Sequence, residues 1–264
     1  MARRQLAAPV LVAGLVTAGI VAAGGVARSR PSPAGQAVSA AAAAVPAPAR
    51  PALAVAAPRP LGRAASRWAA VLRTTVARAA PRADAPAVAR IPVRTPEGTT
   101  NVVLIAGGAR HGEGDWDRVG LATLPNGRTG WVPRRALGGY HFVITRLVVD
   151  RARLQATLLR GGRPVFRAPV GIGAPTFPTP AGAFYVRDRV TSLRDPFYGP
   201  VAFGTSARSA TLTEWPGGGF IGIHGTDRPD LLPGRVSHGC IRMRNADIVR
   251  LARLMPIGTP VIVR

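Results

Sequence analysis

A predominantly β chain with one late helix is expected from three features of the sequence. Short segments between residues 88 and 170 either alternate apolar and polar residues or run apolar for a few positions. Glycine and proline punctuate them at close intervals, and only residues 245–255 place apolar side chains at a helical period.

In chain order, Met1-Ala2-Arg3-Arg4 forms a cationic head and Leu6–Val26 carries no charge, the pattern of an export signal. Its 21 uncharged residues are long enough to cross an apolar layer of about 30 Å. Gly25-Val26-Ala27 approximates a small-x-small cleavage site, so residues 1–27 read as a signal peptide or an N-terminal membrane anchor. No cysteine stands at the end of the run, which excludes acylation there. Residues 28–81 are rich in Ala, Pro and Arg and read as a linker, because repeated prolines remove amide donors and alanine buries little surface. Within that span Trp68, Val71, Leu72 and Val76 space as one helix face over 63–80.

Ordered β sequence begins near Ala87. Val102-Val103-Leu104-Ile105 reads as a buried strand and Trp116–Ala122 alternates with period two. Asn126-Gly127 then separates that strand from Gly130-Trp131-Val132-Pro133, which predicts a hairpin through a type I′ turn. A tryptophan strand, a turn and a Gly-Trp-Val strand resemble a bacterial SH3-like module, so residues 82–140 are expected to form a small all-β domain. Trp116 and Trp131 either line a peptide groove or fill its core, and filling the core is the simpler use of large rings in a small barrel.

Residues 141–264 form the second unit. Phe142–Thr145 and Leu147–Val149 read as strand, Leu154–Leu159 as the returning strand, and Arg160-Gly161-Gly162-Arg163 as the next turn. Prolines in Gly171–Pro180 predict fixed loops. Ile248, Leu251, Ala252 and Met255 share a helix face, with Asn245 or Asp247 near its start, and Thr259–Val263 closes the chain as a strand.

The formal net charge is +23, and every basic residue other than histidine is arginine. A field of that sign collects polyanions. The export signal and the lack of aromatic–arginine alternation exclude nucleic acid as the partner and favour anionic cell-wall polymers, although arginines that merely solvate the surface would give the same composition. His111 and His141 have no ligating company at metal spacing, so no metal role is expected of them.

Cys240 is the one cysteine, and a lone thiol cannot form an internal disulfide. It sits in Val236-Ser237-His238-Gly239-Cys240-Ile241-Arg242-Met243, after a second histidine in Ile221-Gly222-Ile223-His224-Gly225. A thiol with a reference pKa of about 8.5 needs a neighbouring base to become a nucleophile near neutrality. Both His224 and His238 are candidates: His238 lies two residues before Cys240 and shares its face in an extended strand, unless a turn at Gly239 separates them. The amides of His238, Gly239 and Cys240 offer an oxyanion pocket. A buried cysteine beside a glycine bulge is the bland alternative.

These two segments together resemble the signature of L,D-transpeptidases of the YkuD family, over about residues 143–263. The resemblance implies a β-sandwich-like catalytic domain with an appended helix, Cys240 as nucleophile and His224 as its base. It implies that the Gly225 carbonyl orients the imidazole, with His238, Gly239, Ser237 and Arg242 as oxyanion or substrate-positioning residues. Arg242 faces an acidic part of the substrate, or else pairs with Asp247 or Asp227; asparagine often stands there in the motif. The implied reaction is peptidoglycan 3→3 cross-linking on tetrapeptide stems without cofactor, with carbapenems as acylating inhibitors. L,D-carboxypeptidase activity and wall binding through the SH3-like unit are the alternatives. A sortase would present its cysteine in a Thr-Leu-x-Thr-Cys context, which is absent. The protein is expected in the cell wall or periplasmic space, held at the plasma membrane if residues 1–27 are retained.

Overall fold

The computed structural model describes residues 65–112, 114–191, 193, 195–212 and 218–264, all within one compact unit. The leader at 1–27 and the linker up to residue 64 lie outside the described residues. None of the described helices is long and apolar enough to cross a membrane.

The chain opens with β1 (Ser66–Val71), β2 (Thr75–Arg78), β3 (Ala87–Ile91), β4 (Val102–His111), β5 (Gly114–Gly120), β6 (Thr129–Pro133) and β7 (Leu137–Val143). They form one antiparallel sheet in the order β3-β2-β6-β5-β4-β1-β7. The small unit is therefore all-β, but it starts well before residue 82, and the linker and helix expected over 63–81 are corrected. Ala69, Val71 and Ala77 enter its core, whereas Leu72 and Val76 are 59% and 37% exposed. The four apolar residues that looked like a helix face are thus spread over β1, β2 and the turn between them.

β5 and β6 pair as expected, but the connection 121–128 is not a type I′ turn. Gly127 has a φ of 81°, and Asn126 lacks the positive φ that such a turn demands of both central residues. Asn126 uses its side chain elsewhere: its amide donates to the Arg208 carbonyl (2.8 Å) and accepts from the Arg208 N–H (2.9 Å). Trp116 is buried and Trp131 half-buried. β7 also carries residues 141–143 into the small sheet, so the boundary falls after Val143.

The second sheet follows with β8 (Thr145–Asp150), β9 (Gln155–Arg160), β10 (Arg163–Pro169), β11 (Gly171–Gly173), β12 (Gly182–Thr191), β13 (Val201–Arg208), β14 (Phe220–His224), β15 (Gly234–Ser237) and β16 (Ile241–Arg242). Then come α1 (Asn245–Leu254) and β17 (Pro260–Val263). The strand order is β10-β9-β8-β17-β12-β13-β14-β16-β11-β15. β12 joins two halves by changing partner: Gly182–Tyr185 pair with β17, and Val186–Thr191 pair with β13. Long strands that switch sheets are how a sandwich turns its corner. Leu147, Leu158 and Phe166 from one half share a single core with Phe203, Ile223 and Ile241 from the other, closed by Ile248 and Leu251 of α1. A mainly β domain with one late helix, as expected, is the result.

The two sheets are in contact. Trp68 stacks on His141 with ring centroids 4.3 Å apart and lies flat on the Gly258 backbone, where an added Cβ would fall 2.0 Å from the indole. Tyr185 donates its hydroxyl to the Gly120 carbonyl at 3.1 Å, and Thr99 donates to Asp188 at 3.3 Å.

Candidate active site

β14 and β16 run parallel, with Ile223 opposite Ile241 and His224 opposite Arg242. That pairing places Cys240, immediately before β16, beside Gly222 of β14. The Gly222 N–H donates to Cys240 Sγ at 3.3 Å. A Cβ built at Gly222 would stand 3.8 Å from both Cys240 Sγ and His224 Cδ2, so thiol and imidazole edge meet over this glycine. Residues 222 and 224 share a strand face by the period of two. Sequence reasoning passed over Gly222, although the Gly-x-His spacing carried the signal.

The imidazole is held by its backbone. His224 Nδ1 lies 2.7 Å from the Gly225 carbonyl, which can only accept, so Nδ1 carries the proton and Nε2 is left as the basic nitrogen. Nε2 is buried and has no hydrogen-bond partner. Burial pushes the His224 pKa down to about 4, with Arg242 adding to the depression and the Gly225 contact opposing it. Burial likewise raises the Cys240 thiol above its ordinary value, against the lowering effects of the Gly222 N–H and Arg242. Burial thus disfavours the charged form of both groups.

The depressed imidazole has a consequence for stability. Between pH 6.5 and about 4 the unfolded chain takes up a proton at residue 224 and the folded chain does not, so acidification favours unfolding. At about 1.4 kcal/mol per pKa unit, the wild type is expected to lose about 3 kcal/mol across that window through this residue. Urea titrations from pH 7 to 4 should show that loss in the wild type and not in His224→Gln.

Gly225 has no freedom to be another residue. A Cβ there would lie 2.3 Å from Asn245 Oδ1 and 3.0 Å from Gly199 Cα. Asn245 Oδ1 is already engaged by the Thr226 N–H at 2.9 Å. Asn245, expected near the start of α1, thus braces the loop after His224, and α1 has no side-chain cap at Arg244. Gly225→Ala is expected to cost about 2 kcal/mol by overpacking, read by chemical denaturation. It should also slow acylation of Cys240, because the carbonyl that fixes Nδ1 is displaced.

The loop before the thiol is tied in a chain. Ser237 Oγ donates to the Cys240 carbonyl at 2.6 Å and accepts from the Gly239 N–H at 3.1 Å. Thr179 Oγ1 donates to the Gly239 carbonyl at 2.7 Å and accepts from the Gly173 N–H at 2.8 Å. Gly239 itself has a φ of 114°, a conformation that favours glycine, and His238 and Cys240 line the same cavity on either side of it. The Gly239 N–H, an expected oxyanion donor, is given to Ser237 Oγ in this structure. His238 is exposed and tilts against Phe177, ring centroids 5.0 Å apart. Thr179 carried no sequence signal, being 60 residues from the carbonyl it supports.

Arg242 is 6% exposed, with its guanidinium carbon 4.4 Å from the centre of the Phe197 ring. It pairs with neither Asp247 nor Asp227: Asp247 faces Arg250 at 3.6 Å. Its Nε is buried without an acceptor, and burial holds its pKa below the ordinary arginine value. Asp230 is paired with Arg228 at 3.2 Å in the exposed loop.

Cys240 and His224 border two cavities, and Tyr198, Phe220 and Ile221 line both. One, of about 40 Å³, continues past His238 and Arg242. The other, of about 350 Å³, continues past Gly204 to Asp188 and Glu97, the last contributed by the small β unit. One exit is cationic and the other anionic. Among the described residues no group of His, Cys, Asp and Glu is placed to hold a metal ion.

A buried imidazole with a fixed tautomer and a single thiol thus share the walls of two clefts, an arrangement chemically suited to nucleophilic acyl transfer. Residues 144–263 match the YkuD family model, the L,D-transpeptidase catalytic domain, and this segment is a domain of that family. Two Bacillus subtilis proteins named as L,D-transpeptidases are similar. YkuD is 34% identical over 105 residues, 40% of this chain and 57% of YkuD. YqjB is 34% identical over 93 residues, 32% of this chain and 51% of YqjB. The chain thus matches only about half the length of these relatives. Among solved structures, the catalytic domain of Enterococcus faecium L,D-transpeptidase is 24% identical with a TM-score of 0.35, covering 46% of this chain and 96% of that one. Mycobacterium tuberculosis L,D-transpeptidase 3 is 19% identical with a TM-score of 0.39, covering 62% and 91%.

Proposed function

We propose that the protein is an exported peptidoglycan L,D-transpeptidase that forms 3→3 cross-links through a thioester on Cys240. The observation that carries this reading is the His224 Nδ1 contact to the Gly225 carbonyl, which leaves a basic Nε2 on the same cavity wall as the thiol. Nε2 takes the thiol proton as sulfur attacks the carbonyl between the L-centre and the terminal D-residue of a tetrapeptide stem. The C–N bond breaks, the imidazolium returns its proton to the departing amine, and a D-amino acid leaves. An acceptor amine then attacks the thioester, losing its proton to Nε2 as the C–S bond breaks.

The charge of the two clefts supports a division of labour. A stem ending in a carboxylate suits the exit at Arg242, and an amine that arrives as a cation suits the exit at Asp188 and Glu97. The segment at 1–27 would deliver the protein to the wall compartment, and the net charge of +23 would hold it near anionic polymers.

Incubation of the purified protein with a disaccharide-tetrapeptide, followed by mass spectrometry, tests the reading. Cross-linked dimers with loss of one D-alanine support it. Tripeptide monomers alone would mean water is the acceptor and the enzyme is an L,D-carboxypeptidase. Unchanged substrate, with retention on purified wall that depends on residues 66–143, would mean a wall-binding protein acting through its SH3-like unit. A carbapenem adduct on Cys240 is expected in intact-protein mass spectra.

A further inference from the structure

A third cavity, of about 230 Å³, lies between the small sheet and the catalytic sheet. Arg90 and Arg94 of the small unit and Arg187 and Arg208 of the catalytic sheet all line it, and no carboxylate does. Two of these arginines stand at irregularities of their strands. The ladder between β12 and β13 slips between Val186 and Asp188, and that between β13 and β14 slips between Gly204 and Arg208. A bulge re-aims a side chain. Here the two guanidinium carbons sit 3.9 Å and 4.5 Å from the ring centre of Phe220, which also borders both clefts at Cys240.

Arg94 Nη1 donates to the Gly98 carbonyl and Arg208 Nη2 to the Gly218 carbonyl, but other buried donors of this cavity are unsatisfied. Arg187 is 3% exposed, yet its Nε and Nη2 have no hydrogen-bond partner. Nη2 lies 3.6 Å from Glu97 and 3.9 Å from Asp188, which counter its charge from outside the cavity wall without completing its hydrogen bonds. Arg208 Nε and Thr123 Oγ1 are buried and unpartnered as well. Arg90, Arg94 and Arg208 form no ion pair among the described residues. Buried donors are ordinarily satisfied, and guanidinium forks match the oxygens of phosphate.

We propose that this cavity binds a phosphate-type oxyanion, either free phosphate or the phosphodiester of a wall polymer. The surplus of positive charge calls for a multiply charged group with several acceptor oxygens, which a single carboxylate does not supply. The site is independent of which reaction Cys240 performs.

Calorimetric titration of the full chain with inorganic phosphate, at ionic strength held constant with chloride, provides the test. Saturable binding is expected in the wild type and in Arg163→Gln, a control at the exposed start of β10. Arg208→Gln should weaken it about tenfold, the worth of one charge-assisted hydrogen bond. Thr123→Val should weaken it while leaving the melting temperature equal or higher, because it removes a buried hydroxyl that has no partner, and this separates a binding role from a folding one. Tighter binding of poly(glycerol phosphate) per phosphate group would assign the site to a polymer, and equal binding to free phosphate. An absent or non-saturable response, or the same affinity in wild type, Arg208→Gln and Thr123→Val, would overturn the proposal.

Discussion

Cys240→Ala is expected to abolish acyl transfer, with turnover of a tetrapeptide substrate falling by at least about 10⁴-fold and no covalent β-lactam adduct forming. The chain has one cysteine, and the nearest hydroxyl along the chain, Ser237 Oγ, is spent on the Cys240 carbonyl and the Gly239 N–H. Because Cys240 is only half-buried, the folded state should survive the change, so circular dichroism and melting curves close to wild type are part of the expected result. Residual cross-linking by this variant at the wild-type rate would remove the sulfur from the mechanism.

His224→Gln is expected to slow acylation by about 10³-fold, the usual worth of a positioned general base. His238→Gln, altering an exposed ring that rests on Phe177, should cost far less. The pH dependence discriminates further. With the thiol raised by burial and the imidazole lowered, wild-type alkylation by iodoacetamide should climb steadily above pH 8. A plateau between pH 5 and 7 would instead reveal a thiolate–imidazolium pair. Were His238→Gln the more damaging variant, the base would be the other imidazole.

The chemistry was legible in the sequence because it is local: His224 with Gly225, and Ser237 to Arg242, each occupy a few consecutive residues. What surrounds them was not. Thr179 and Asn245 reach the site through loop packing at long range, and nothing in their neighbours along the chain marks them for it. The late helix and the strands from Thr145 to Pro169 were readable because leucine, valine and phenylalanine give a strong period. β1 and β2 were hidden for the converse reason. Their core positions are largely alanine, small enough for Gly130 of β6 to approach within 2.9 Å of the Ala77 methyl if it carried a Cβ, and an alanine-rich strand leaves little hydrophobic period. The Asn126-Gly127 turn misled because tertiary contact with Arg208 outweighed the local preference for a tight hairpin.

The upward push of burial on the Cys240 thiol bears on how long the sulfur lasts. Peroxide and other oxidants convert thiolates to sulfenic acid, and a thiol whose ionised form is disfavoured by burial offers them less to attack. Hydrogen peroxide should therefore inactivate the protein slowly near pH 7 and faster as alkalinity rises, giving a long-lived catalyst with no partner cysteine to repair it.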